Sequence, residues 1–217
     1  MTASRDRRAP LRVRTGVALA AVLAAAPLVP AASSAEPGLQ AADARPVVVI
    51  GASISTGRAV SGYVAYPRMI SAIAGRSVYL SARGGAGYHD GSIAGLTQAA
   101  DLAERNPALV VVQAGSNDVG APSATVAAKV QQVVTTVRRQ APGAKVALIT
   151  VFPSVKGSGP DARATESTIV GAARSVDSTV SVISPLSEGW VYQSSSDGHP
   201  DSLTHQKLAE RVAALAS

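Results

Sequence analysis

Four side chains in this chain have the chemistry of acyl transfer, and each comes after an apolar run. Ser53 stands two residues after Gly51, which ends the run Val47-Val48-Val49-Ile50. Asn117 is reached from Leu109-Val110-Val111-Val112-Gln113 through Ala114-Gly115-Ser116. Asp197 and His199 lie in the segment after Val180-Ser181-Val182-Ile183. A fourth cluster, Arg83-Gly84-Gly85-Ala86-Gly87-Tyr88, offers backbone N–H groups in place of side chains. A serine must lose its proton to attack a carbonyl, and a neutral imidazole is the usual acceptor. A carboxylate orients that imidazole and stabilises its cation. The tetrahedral oxyanion then needs preorganised donors, which glycine-loop amides and an Asn side chain can supply.

Such residues, far apart in sequence, must be gathered by the elements between them. Runs like 47–50 and 109–112 fit strands buried on both faces. Further strands are expected at 77–80, 145–151 and 180–183. Helical spacing is expected from Tyr66 to a stop at Gly75, from Asp90 to Glu104, and from a Ser123 cap through Gln140. Two more helices are expected, from an Asp161 cap to about Val176 and from Ser202 to Ala216. Strands alternating with helices predict a single α/β domain, a flavodoxin-like three-layer α/β/α sandwich on a five-stranded parallel sheet. In an open sheet of this kind, ligands bind beyond the carboxyl ends of the strands, where all four clusters fall.

The first 35 residues read as a signal peptide to be removed. Five arginines between Arg5 and Arg14 precede an apolar stretch, Val17–Leu28, and Ser33-Ser34-Ala35 supplies a small-residue cleavage site. Residues 36–46 form a polar lead-in with two prolines, and the domain is expected over 47–217. Such a leader implies export: a secreted or extracytoplasmic protein, free of the membrane after cleavage, with cell-wall material within reach. The formal charge of +6 owes most of its excess to the leader's arginines. With 3% aromatic residues and no basic runs, a nucleic-acid surface is not expected. The absence of cysteine rules out disulfides and zinc–thiolate sites.

Other motif readings fail. Gly51–Gly57 lacks the Gly-x-Gly-x-x-Gly spacing of a dinucleotide loop, and Gly57 is followed by Arg58 instead of the Lys-Ser/Thr of a phosphate loop. His89 is expected to be a solvated loop residue, and His205, at a helix start, a structural hydrogen-bonding group.

Taken together, Gly51-Ala52-Ser53-Ile54-Ser55, the glycine loop 84–87, Gly115-Ser116-Asn117-Asp118 and Asp197-Gly198-His199-Pro200 resemble the four blocks of the SGNH (GDSL-type) hydrolases, in order. The resemblance implies the strand order 2-1-3-4-5 and a secreted serine esterase without metal or cofactor. Ser53 would be the nucleophile, His199 the base and Asp197 the acid. The oxyanion hole would comprise the Ser53 N–H, Asn117 and one glycine, with Gly85 favoured over Gly84 and Gly87. Short loops favour short acyl groups, such as acetyl, on carbohydrate more than on lipid, and a monomer is expected. The chain departs from the pattern three times. Ala52 stands where the family has Asp. Asp197 lies two residues before the histidine instead of three, leaving a backbone carbonyl as the other way to orient His199. Leu80 and Ser81 replace a polar start to the second block. These departures motivate a second reading, a secreted glycan-binding module with little catalysis.

Overall fold

The computed structural model describes residues 45–217, so the expected leader and most of the lead-in lie outside the described residues. Five strands, β1 (Val47–Gly51), β2 (Val78–Ala82), β3 (Leu109–Gln113), β4 (Lys145–Ile149) and β5 (Ser181–Ile183), form one parallel sheet. Its order is β2-β1-β3-β4-β5, as the resemblance implied. β1 is paired along its whole length on both sides: Val47 lies opposite Val78 and Leu109, and Gly51 opposite Ala82 and Gln113. A parallel strand in such a position is covered on both faces, which accounts for the unbroken apolar runs of β1 and β3.

Side chains alternate between those faces. Val48, Ile50, Val110, Val112 and Leu148 pack on one side with Ile93 of α3 (Ser92–Gln98), Val130 and Val134 of α5 (Ser123–Gln140) and Ile169 of α6 (Pro160–Val176). Val47, Val49, Val111 and Ile149 pack on the other with Ile70 of α2 (Tyr66–Ala74) and Leu208 and Val212 of α7 (Ser202–Ala216). A fully buried aliphatic side chain of this size contributes about 1.5–3 kcal/mol through its removal from water. Val49→Asp would therefore do more than lose a contact, because it would bury an unpaired charge between two layers.

Local details differ from the sequence expectation. The helix expected over 90–104 is two, α3 and the single turn α4 (Leu102–Arg105). Asp101 breaks it by adopting a left-handed φ of 47°, a conformation open to Asp as a single residue but unable to continue a helix. Ser123 is the first residue of α5 and not its cap, which falls on Pro122. Asp161 likewise lies in the first turn of α6, with Gly159 at the cap. β2 runs two residues beyond Leu80, and β4 stops at Ile149. A one-turn helix, α1 (Ser53–Thr56), follows β1 and begins with Ser53.

Candidate active site

The carboxyl ends of β1, β3 and β5 deliver the predicted residues to one edge of the sheet. Ser53 opens α1, so its N–H has no partner within that helix. Its hydroxyl Oγ lies 2.7 Å from Nε2 of His199, 146 residues away, and both residues are buried. Ser53, Arg58, Gly85, Asn117, Asp197 and His199 line a cleft of about 260 Å³, with Val155 and Lys156 along one side. A hollow of about 420 Å³ lies elsewhere, beside Glu166 and Arg174, and no histidine lines it. Chemistry, not size, selects the site.

The turn carrying Ser53 is held from beneath by a residue that sequence reasoning did not single out. Gln113 ends β3 and is buried. Its Oε1 accepts the N–H of Ala52 (3.3 Å), the N–H of Ser55 (3.2 Å) and the hydroxyl of Ser55 (3.0 Å). Because two of these donors are main-chain N–H groups, the oxygen of the amide must face the turn. The Ser55 proton is committed to Gln113, so the Tyr66 hydroxyl, 2.7 Å away, donates to Ser55. The Tyr66 N–H in turn donates to Nδ1 of His205, whose ring stacks on the Tyr66 ring. His205 is thus the structural group expected, and burial pushes its pKa down to about 4. Gly51 completes the fit, since a Cβ there would meet Ser55 Oγ at 2.1 Å. Ala52 supplies no polar side chain to this turn, and Gln113 holds it from β3 instead. The only signal in the sequence was one amide ending a run of valines.

The second turn is built differently. Residues 193–201 fold back on themselves: Ser194 bridges Pro200, and Ser195 N–H donates to His199 O (2.9 Å). Gly198 adopts φ 82°, and a Cβ on it would lie 2.0 Å from Ser154 O, so only glycine fits. This turn brings Asp197, at its unusual spacing, to within 2.9 Å of His199 Nδ1. The carboxylate sits off the line of a ring N–H, making the contact a close approach and not an aligned hydrogen bond. Asp197 Oδ2 accepts from Arg58 Nε at 2.6 Å, and Oδ1 accepts from the Ser195 hydroxyl. The Ser195 hydroxyl, Arg58 and His199 together hold the Asp197 carboxyl well below the usual carboxylate range.

Two loops bring amide donors to the cleft. In the glycine loop, Ala86 N–H donates to Arg83 O and Gly87 N–H to Ser92 Oγ, whereas Gly85 N–H has no acceptor among the described residues. Gly85 lines the cleft and adopts φ 79°. Asn117, in the 3-10 turn Ser116–Asp118, gives one amide hydrogen to Ala86 O (2.9 Å) and keeps the other. His89 has a partner that the sequence did not suggest: its Nδ1 and N–H lie 2.7 and 2.8 Å from Oδ1 of the buried Asp118. A Cβ on Gly87 would press on both groups, at 2.9 and 3.0 Å.

A serine hydroxyl against an imidazole, beside free amide donors, is the geometry of acyl-transfer chemistry. Residues 49–207 match the GDSL-like lipase/acylhydrolase family. The chain belongs to that family. No curated protein sequence matches this chain. Among solved structures it resembles a family two carbohydrate esterase from Clostridium thermocellum in complex with cellohexaose. That pair shares 21% identity over 79% of this chain and 63% of the other, with a TM-score of 0.62. It also resembles TesA, at 25% identity over 77% of this chain and 95% of the other, with a TM-score of 0.62. The psychrotrophic esterase EstA from Pseudoalteromonas, inhibited by monoethylphosphonate, matches at 13% identity over 77% and 94%, with a TM-score of 0.61. The chain spans just under two thirds of the carbohydrate esterase's length. Among the described residues, no helix is long and apolar enough to cross a membrane, and no acidic, histidine or cysteine cluster could hold a metal.

Proposed function

We propose that the protein is an exported esterase that removes short acyl groups, acetyl foremost, from carbohydrate. The reading rests on one observation above others, the 2.7 Å approach of His199 Nε2 to Ser53 Oγ. His199 takes the Ser53 proton as Oγ attacks the ester carbonyl. The Asp197 carboxylate, close to Nδ1, stabilises the imidazolium that forms. The N–H groups of Ser53 and Gly85 and the second amide hydrogen of Asn117 receive the oxyanion. The intermediate collapses, the alcohol leaves with the proton from His199, and an acyl-enzyme remains on Ser53. Water, deprotonated by His199, then releases the acid.

A cleft of about 260 Å³ favours a small acyl group. The carbohydrate esterases among the structural relatives favour a sugar as the alcohol. Export rests on the leader read at residues 1–35, with the catalytic domain over 47–217. A fluorophosphonate probe tests the assignment: it should label the wild type and leave Ser53→Ala unlabelled. Equal labelling of both would refute it.

A further inference from the structure

The cleft is lined by two cations and one carboxylate, and the carboxylate is fully engaged. Asp197 uses Oδ2 on Arg58 Nε and Oδ1 on the Ser195 hydroxyl, with His199 Nδ1 close by. Arg58 is tethered through Nε alone. Its two terminal nitrogens, Nη1 and Nη2, have no acceptor among the described residues, and its side chain is 60% exposed. Lys156, on the segment between β4 and α6, is exposed and likewise has no hydrogen-bond or ionic partner among the described residues. The Arg58–Asp197 pair cancels in charge but fixes the guanidinium plane, leaving its outer edge of donors preorganised. Lys156 adds an uncompensated positive charge to the same rim. The buried Asp118 faces His89, so it offers this rim no counter-charge.

Resting on the esterase reading, we propose that this rim is an anion subsite. Arg58, through Nη1 and Nη2, and Lys156 receive a carboxylate carried by the ester substrate a few bonds from its scissile carbonyl. Planar two-point recognition of a carboxylate is what a tethered guanidinium offers, and a lysine alone would give only a point charge. The substrate class is therefore an acylated acidic compound, with the carboxylate on the sugar or on the acyl chain.

Paired substrates separate those sources. One arm compares a mono-acetylated methyl glucuronoside with the equivalent methyl glucoside. The other compares 4-nitrophenyl hemisuccinate with 4-nitrophenyl butyrate, after subtraction of the spontaneous rates. The wild type should favour the acidic member of at least one pair by roughly fivefold in kcat/KM, as expected of a partly exposed charge pair. That preference should shrink in 0.5 M salt and invert in Lys156→Glu. A ratio near one in both arms, unmoved by Lys156→Glu, would overturn the subsite while leaving the esterase intact. Failure to hydrolyse even the neutral esters would instead count against the esterase reading.

Discussion

The turn carrying Ser53 and the turn carrying His199 meet in one cleft, yet they are held in opposite ways. The first is anchored in the sheet. β1 is paired on both sides, Gln113 accepts three hydrogen bonds from the turn, and a buried chain runs on through Ser55 and Tyr66 to His205. The second lies at the surface. A tight fold-back, one left-handed glycine and the exposed Arg58–Asp197 pair support it. Buried hydrogen bonds resist both water and salt, whereas exposed ion pairs resist neither. The place of Ser53 is thus a property of the fold, and the place of Asp197 is a property of one loop.

If that contrast is right, damage to the surface turn should cost activity before stability. Asp197→Asn should lower kcat by about a thousandfold, toward the loss caused by removing an oriented carboxylate from a triad. Its melting temperature should stay near that of the wild type, which a thermal scan beside the kinetic assay would check. Gly198→Ala should cost roughly a hundredfold in kcat/KM, because a misplacement of about 1 Å is enough for such a loss. Here the added methyl group meets Ser154 O.

The buried side should respond in reverse. Gln113→Leu removes the Oε1 acceptor of the Ser55 N–H and hydroxyl, while the Ala52 N–H keeps the Gln113 main-chain oxygen at 3.1 Å, so stability should fall by about 1–3 kcal/mol. Catalysis in the molecules that remain folded should fall only about tenfold, as judged by phosphonate labelling rate against denaturant stability. Preservation of stability in this variant would remove the distinction drawn between the two turns.

A further effect is one of pH. His205 has a folded-state pKa of about 4, below the unfolded value of about 6.5. Below pH 6.5 the unfolded chain binds a proton that the folded chain refuses, so stability falls as pH drops toward 4. The total is of order 3 kcal/mol, with full stability retained above pH 6.5. Urea titrations between pH 7 and 4.5 should reveal this slope. His205→Asn, which keeps an acceptor for Tyr66 N–H, should flatten it.

Much of this was legible in the primary structure, for identifiable reasons. Strands buried on both faces are written as unbroken runs such as Val47–Ile50, and a parallel sheet brings the residues just beyond such runs to one edge. Ser53, Asn117, Asp197 and His199 were therefore readable as companions. Their supports were not. Gln113 acts through a hydrogen-bond geometry that exists only once β1 and β3 are paired. The partnership of His89 with Asp118 likewise depends on two loops meeting in space. The break in the helix at Asp101 rests on one residue's left-handed conformation, which apolar spacing does not report. The short spacing from Asp197 to His199 is accommodated by Gly198, whose left-handed conformation carries the chain around it.

The double pairing of β1 also bears on how the protein fails with heat. Its amides can exchange with solvent only when the sheet opens, so they should belong to the last-opening part of the molecule. The segment around His199 can lift away while the sheet stays closed. Warming should therefore silence the enzyme in a folded, recoverable state, with hydrogen exchange rising first over residues 193–201 and last over 47–51.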